Sequence, residues 1–425
     1  MQRMSVVGSG SELGLLRQSV RPMQPILRPG LPAAEVTPPA ASSLSVNGRP
    51  DRSLRVAIVA ESFLPTGNGV TNSVCRVLEH LRAHGHEAVV ICPGPAPTSF
   101  AGFPVVSVPS FNYRQFPVGM PSSKVLRTLS AFRPDIVHLA SPFVLGAVGV
   151  TAAGQLGVPT VAVFQTDVPA FAERHHLGKL ASTAWRWVRR IHTQADLTLA
   201  PSSSAMDELR AHTVPRLALW QRGVDSDRFH PGRRETPAVQ ELRQRLAPNG
   251  EVLVGYVGRL ATEKRVQRLA ALNGLENVRL VIAGDGPHRK ALERSLPGAT
   301  FLGWRDGDDL ADTFAALDVF VHTGTSETFG QTLQEAMASG VPVVAPAAGG
   351  PLDLVTPGTN GLLYAPEDDT DLRGCVQALA TDPEQRRWMG AAGRVGVQRN
   401  TWELLGDELI EHYRSVLRVR AVAAS

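Results

Sequence analysis

Residues 55–92 read RVAIVAESFLPTGNGVTNSVCRVLEHLRAHGHEAVVIC. The run opens on Arg55 to Ala60, apolar after its first residue, the pattern of a strand buried on both faces. A loop of glycine, proline and asparagine follows, Pro65 to Gly69. From Val70 to His84 the apolar positions recur at helical spacing, and Gly85 supplies the stop. Glu87 to Cys92 is a second apolar strand. Strand, loop, helix and strand in that order describe a parallel pair joined by a crossover helix.

The pattern continues outward. Ile136–Leu139, Thr160–Phe164 and Leu197–Ala200 extend the first series. A polar link from Arg222 to Pro231 interrupts it, and a second series begins with Val252–Val257, Arg279–Ala283, Val319–His322 and Val341–Ala345. The expectation is an α/β protein of two doubly wound, Rossmann-like domains facing a cleft, residues 53–222 and 223–400. The closing segment, 401–425, places Leu405, Leu409, Tyr413, Val416 and Leu417 near helical spacing. No strand follows it, so it should pack back across the outside of one or both halves. Residues 1–52 contain no Phe, Trp or Tyr and seven prolines. Such a segment buries too little apolar surface to offset its ordering entropy, and it reads as a disordered tail.

The 425 residues are 43% hydrophobic and 19% charged, enough to build a substantial core. The net charge is +4, but the first 52 residues hold six arginines against three acids. The body is therefore close to neutral and offers no broad field for nucleic acid. Cys75, Cys92 and Cys375 are too scattered for a disulfide framework or a zinc site, which suits a reducing cytoplasm. No basic start leads into an apolar core and a cleavage site, so no secretory leader is expected. Ile136 to Thr166 has no charged residue, yet Pro142, Gly146, Gly149, Gly154, Gly157 and Pro159 interrupt it. A strand, a helix and a strand explain it better than a membrane span.

Open α/β sheets bind ligands beyond the carboxyl ends of their strands, where helix N-termini present free N–H groups. Four loops at such positions carry unusual residues. Gly67-Asn68-Gly69-Val70 would let backbone approach a ligand at Gly69. Gly258-Arg259-Leu260 with Glu263-Lys264 sets two cations five residues apart, a fork and a point charge suited to a diphosphate. A plain structural turn and a solvated charge pair would read alike in these two loops. Ser326-Glu327-Thr328-Phe329-Gly330 precedes a helix that should run from about Gly330 to Gly340 and carry Glu335. The two carboxylates then lie towards opposite ends of an extended ligand, with the helix N-terminus between them facing an anion. Phe164-Gln165-Thr166-Asp167 puts an acid after a strand, where Asp167 either orients an acceptor hydroxyl or caps the next helix.

In order and spacing these residues resemble glycosyltransferase family 4, retaining enzymes of the two-Rossmann GT-B architecture. The matches are Gly67-Asn68-Gly69-Val70, Arg222-Gly223-Val224-Asp225 with Phe229 and Pro231, Gly258-Arg259-Leu260 with Glu263-Lys264, Gly284-Asp285-Gly286-Pro287, Glu327 through Glu335, and Gly340-Val341-Pro342-Val343-Val344-Ala345. The resemblance implies that Glu335 binds the ribose hydroxyls of a sugar nucleotide and Glu327 the hydroxyls of the transferred sugar. Backbone amides at Phe329 and Gly330, in the turn with Thr328, would cradle the diphosphate. Arg259 and Lys264 would neutralise the leaving nucleoside diphosphate, so that no metal is required. The run Asp306-Gly307-Asp308-Asp309 then reads as a polar loop capping the helix of Leu310 to Leu317. Many family members carry His where this chain has Gln165, which leaves Asp167 as the polar group expected to serve the acceptor. Phe-Gln-Thr-Asp followed by Glu173-Arg174 resembles the bacterial GDP-mannose-dependent α-mannosyltransferases.

The function implied is transfer of a hexose, mannose first, from a nucleoside-diphosphate sugar to a lipid-linked or glycan hydroxyl, in the cytoplasm. A UDP-sugar donor and a non-catalytic sugar-nucleotide-binding protein are the alternatives. An NAD-dependent oxidoreductase would want a third glycine where Ser73 stands. Epimerases and phosphorylases share the architecture but not the Glu327–Glu335 context. A helix over Lys179–Arg190 would set Leu180, Ala184, Trp187 and Ile191 on one face, with Trp185 outside it and Lys179, Arg186 and Arg190 on another. Basic residues beside an exposed tryptophan suit peripheral contact with an anionic membrane, or simply a solvated helix.

Overall fold

The computed structural model describes residues 52–113, 116–141, 143–165 and 178–424. All but Arg52 of the tail read over 1–52 lies outside them, as do Thr166, Asp167, Glu173 and Arg174.

The first lobe runs β1 (Arg55–Val59), α1 (Gly69–Ala83), β2 (Glu87–Pro93), β3 (Ser99–Phe100), β4 (Phe103–Val108), β5 (Ser110–Tyr113), β6 (Phe116–Gly119), α2 (Ser123–Phe132), β7 (Ile136–Leu139), α3 (Val144–Leu156), β8 (Thr160–Val163), α4 (Gly178–Gln194), β9 (Leu197–Ala200), α5 (Ser203–Ala211) and β10 (Leu217–Leu219). Its eight-stranded sheet has the order β10-β9-β8-β7-β1-β2-β4-β3, parallel except for the β3–β4 edge pair, and β5 and β6 form a separate hairpin. Central strands are sealed on both faces, Val56 to Val59 having no exposure at all. The edge strands and the hairpin escape a reading by apolar runs, because β4 is buried only at its ends.

The second lobe runs α6 (Pro237–Leu246), β11 (Val252–Val257), β12 (Val278–Ala283), α7 (Arg289–Ser295), β13 (Thr300–Gly303), α8 (Gly307–Ala316), β14 (Val319–Val321), α9 (Gln331–Ala338), β15 (Val343–Pro346), α10 (Pro351–Leu354), β16 (Gly361–Tyr364), α11 (Asp369–Thr381) and α12 (Pro383–Val397). Its six strands are all parallel, in the order β13-β12-β11-β14-β15-β16. Asp306 stands at the N-cap of α8 without a capping bond, its side chain accepting instead from Trp304 Nε1 at 3.4 Å, while Asp308 and Asp309 occupy the first turn, where the helix dipole favours them. Asp308 is taken up by Arg233 at 2.7 Å.

The chain crosses between lobes twice, at adjacent points. Val224 bridges to Thr401 and its N–H donates to Asn400 O at 2.8 Å. The crossing is tight enough that a Cβ on Gly223 would stand 2.5 Å from the Trp402 nitrogen. Past the second crossing, α13 (Trp402–Ala424) buries Leu405, Leu409, Tyr413 and Val416 in the core of the first lobe, against β1, α1 and β2. Tyr413 Oη meets His138 Nδ1 at 2.7 Å, and Trp220 Nε1 donates to Leu405 O at 2.9 Å. Burial lowers His138 to about 4, so it is neutral at physiological pH. Among the described residues no helix is long and apolar enough to cross a membrane.

Beyond β1, the Glu61 carboxylate is buried and accepts N–H groups from Gly119 and Leu145, each at 2.7 Å. One side chain thus ties the β6 end to the N-terminus of α3. Burial outweighs those bonds and raises Glu61 to about 7.

The Tyr413–His138 bond gives a direct test of how α13 is held. Tyr413→Phe leaves His138 Nδ1 buried without its partner and should cost about 1–3 kcal/mol. A lower urea midpoint at unchanged slope is expected; an unmoved midpoint would count against the contact.

Candidate active site

The strand β14 ends at the middle of its sheet, and its continuation builds the second lobe's face of the cleft. His322 and Thr323 are buried there. The loop then carries Glu327 to the N-terminus of α9. Glu327 Oε2 lies 2.6 Å from Lys264 Nζ and 3.7 Å from His322 Nε2. Burial opposes the charge on Glu327, yet Lys264 and His322, with Arg222 behind them, overcome it and hold the carboxyl at about 2. Lys264 is steadied through its own backbone, since Thr323 Oγ1 donates to Lys264 O at 2.6 Å. His322 is driven down to about 4 by burial, and so faces Glu327 as a neutral ring.

Glycines set the loops close enough to make this surface. Gly350 N donates to Glu327 O at 2.7 Å, and a Cβ on Gly349, whose φ is +65°, would stand 2.5 Å from that carbonyl. Only glycine can take both the left-handed backbone and the approach. The Gly284–Gly286 loop lies against Gly258–Leu260 in the same manner, with Leu260 N donating to Asp285 O at 2.9 Å.

Glu335 sits one turn inside α9 and is partly exposed. Its surroundings raise it to about 8 through burial, offset in part by Gln331, so it is largely protonated at neutral pH. Gln331 in turn donates to Gly223 O at 3.1 Å, fastening the start of α9 to the chain crossing. Phe329 turns its ring into the second lobe's core, so only its backbone is offered to the cleft. Among the described residues neither the Phe329 nor the Gly330 amide donates to an acceptor. Thr328 is partly exposed beside them. Two amides without an acceptor at a helix N-terminus, with Lys264 on the neighbouring Glu327, are the chemistry that suits an anion.

The structure thus brings Glu327 and Lys264 together at the N-terminus of α9, beside Thr328, Phe329 and Gly330, with Glu335 one turn along the helix. Arg259 stands beside this cluster rather than in it: its guanidinium pairs with Glu263 four residues on and is mostly exposed. Gly69 packs against the interlobe link. It opens α1 under the Asn68 cap, and a Cβ there would stand 2.6 Å from Arg222 Nη1. What Gly69 admits is an arginine from the interlobe link.

Arg222 and Gln165 are the residues that sequence reasoning missed. Gln165 is buried, donates through Nε2 to Ala140 O at 2.7 Å and accepts from Arg222 Nη2 at 2.8 Å. Burial lowers Arg222 to about 10, which leaves it charged, and Glu327 partly counters the fall. A cation from the link is thereby held by the first lobe within electrostatic reach of the second lobe's carboxylate. The sequence signals were the Arg222-Gly223-Val224-Asp225 motif and a glutamine where many family members carry His, neither of which discloses that the two side chains meet. A further bridge closes the lobes, Ser203 N donating to Asp353 Oδ2 at 2.5 Å.

On α4 the two tryptophans exchange the places expected of them. Trp185 stacks on His212 with ring centroids 3.6 Å apart, while Trp187 is 38% exposed. The buried stripe runs through Val188, Ile191 and His192, because the end of α5 offers Trp185 a ring to lie on.

Residues 67–228 match Glycosyltransferase Family 4 and residues 239–395 match Glycosyl transferases group 1. A GDP-mannose-dependent alpha-mannosyltransferase of Corynebacterium glutamicum is 48% identical, covering 86% of this chain and 90% of its own length. One from Mycolicibacterium smegmatis is 49% identical over 88% of this chain and 100% of its own. Among solved structures, Anabaena HepE in complex with UDP and glucose aligns with a TM-score of 0.70 at 21% identity, covering 85% of this chain and 100% of that one. That last likeness concerns the fold.

Glu335 supplies a pH test. Its unfolded pKa is about 4.3, so between there and about 8 the folded chain holds the extra proton. Its contribution to stability should therefore fall as pH rises through that window. Urea denaturation from about pH 5 to about 8.5 should show native stability falling relative to Glu335→Gln, the comparison removing Glu61. A pH-independent difference would contradict the burial of Glu335.

Proposed function

Because this chain belongs to glycosyltransferase family 4, we propose that it moves mannose from GDP-mannose, with retention, to a hydroxyl of a lipid-linked or glycan acceptor. The observation that carries this reading is the ion pair of Glu327 and Lys264 beside the open amides of Phe329 and Gly330. The mannosyltransferase relatives support the donor, being nearly half identical along nearly their whole length.

In this reading the diphosphate lies on the α9 N-terminus, with Lys264 on its charge. Arg259 joins it readily, since an exposed pair such as Arg259–Glu263 is worth little and yields to a phosphate. Arg222 adds a third cation from the link. These charges stabilise the nucleoside diphosphate as it departs, so transfer proceeds without a metal. Glu327 stays ionised and accepts hydroxyls of the sugar, while Glu335, mostly protonated, meets the ribose. The bond from the anomeric carbon to the β-phosphate oxygen breaks as the acceptor oxygen attacks from the same face. The acceptor proton passes to the departing phosphate oxygen, so no protein nucleophile is needed. Gln165 holds Arg222 rather than contacting the sugar, and Asp167 remains the group assigned to the acceptor.

A cytoplasmic enzyme with a lipid-linked acceptor needs a membrane face, and α4 suits one. Exposed Trp187 lies beside Arg186, Arg189 and Arg190. Trp185, Arg186, Arg189 and His212 also line an open depression of about 340 Å³. Arginine and tryptophan together favour an anionic interface.

A panel of nucleotide sugars tests the donor. Thermal stabilisation and slow hydrolysis are expected with GDP-mannose, and a response to UDP-sugars alone would replace it. Glu327→Gln should lower kcat by about 10²-fold or more with circular dichroism unchanged; retained turnover removes its role. Lys264→Ala should weaken GDP binding roughly tenfold to a hundredfold by calorimetry, about 1.5–3 kcal/mol. Equal affinity would refute the phosphate assignment.

A further inference from the structure

The last turn of α1 and the first turns of α13 bring two histidines and an aspartate together outside the cleft. His80 and His84 are four residues apart on one face of α1, and Asp407 comes against them from α13. His80 lies eleven residues along α1 from Gly69, roughly 16 Å from the cleft end of the helix. His80 Nε2 is 3.2 Å and His84 Nε2 3.7 Å from Asp407 Oδ1, and the three ligand atoms all lie within 4.8 Å of one another. Donors each about 2 Å from one tetrahedral zinc ion stand roughly 3.3 Å apart, so these separations are close to what a shared ion requires.

The ring orientations suit ligation too. His84 Nδ1 lies 3.0 Å from the carbonyl of His80. With the N–H directed to that oxygen, the lone pair of Nε2 is left facing Asp407, the tautomer a metal-binding histidine adopts. The rings stack with centroids 4.0 Å apart, so both are presented from one side of the helix. His80 Nε2 is buried and faces Asp407 Oδ1 at 3.2 Å outside good hydrogen-bond geometry. Gly406 packs so closely on the His80 ring that any side chain there would displace it. Glu403, one turn earlier on α13, adds a carboxylate within electrostatic reach. Asp407 and His84 are both substantially exposed, which leaves an ion an entry path and room for a water as fourth ligand.

We propose that His80, His84 and Asp407 bind one divalent transition-metal ion of the zinc, cobalt and nickel class, fastening α13 to α1. Histidine nitrogens with one carboxylate select such ions over magnesium or calcium, which prefer all-oxygen shells. Because α13 begins at the second chain crossing, an ion here braces the helix that returns from the second lobe to the first. Its role is structural and separate from the donor chemistry of Glu327 and Lys264.

The test uses the full chain without an affinity tag, stripped with EDTA and titrated with CoCl₂. A d–d absorption band saturating at one equivalent is expected, lost on adding ZnCl₂. ZnCl₂ in excess should raise Tm by a few degrees, as for any ligand bound only by the folded state. His84→Ala and Asp407→Asn, both at exposed positions, should weaken Co²⁺ binding at least tenfold while keeping native circular dichroism. Gly406→Ala, which displaces His80 without removing a ligand, should weaken it as well. Absence of a saturable band overturns the proposal. So does a band unchanged in His84→Ala, or one that Glu327→Gln abolishes, since that places the ion at the His322–Glu327 face of the cleft.

Discussion

A carboxylate in a sheltered cleft remains charged only if cations meet it, and Glu327 imposes that condition on the whole molecule. Desolvation would neutralise it, but Lys264 at 2.6 Å and Arg222 from the interlobe link keep it ionised. The two cations reach it by different routes. Lys264 arrives from the loop after β11 in the same lobe, whereas Arg222 is delivered by the chain crossing and held by Gln165 of the other lobe. The charge balance of the site therefore depends on the lobes facing each other. A buried pair with one partner removed is far more costly than an exposed one, which is why this arrangement orders the cleft.

The crossing is where fold and chemistry meet. Gly223 lies against Trp402, Val224 pairs with Thr401, and Gln331 at the head of α9 donates to Gly223 O. One short stretch thereby places the arginine, fixes the start of α9 and admits the returning chain. The return does more than cover the outside. It completes the first lobe's core through Leu405, Leu409 and Tyr413 and secures them polarly through Tyr413–His138 and Trp220–Leu405. The His80–His84–Asp407 cluster stands on that same helix pair, so a metal ion there would reinforce a junction already built by packing.

The two acids of α9 and its preceding loop show how placement sorts identical chemistry. Glu327 and Glu335 are eight residues apart and both sheltered, yet one is held at about 2 and the other pushed to about 8. Glu327 has cations to face; Glu335 has only Gln331 against its burial. One carboxylate is a fixed anion, while its neighbour carries a proton it can donate in a hydrogen bond.

Much of this was legible in the chain itself. Apolar runs alternating with helical periodicity announce two parallel sheets, because a strand covered on both faces is mostly apolar and carries a polar residue only where a partner meets it. Glycines at strand ends mark loops that must approach one another, and the helix from Gly330 to Gly340 is readable from its two flanking glycines. The loops holding Glu327 and Lys264, and the helix carrying Glu335, follow from strand ends. Spacing along the chain says nothing of direction in space, however. Arg259 and Lys264 share a loop, but Arg259 turns to Glu263 while Lys264 turns to Glu327. Trp185 and Trp187 exchange places because a histidine from another helix supplies a ring. Arg222, Gln165 and Asp407 become meaningful only when segments tens to hundreds of residues apart meet. Local sequence determines which backbone forms and where ligands can approach; the charge state of each group depends on its neighbours in space, and only tertiary packing chooses them.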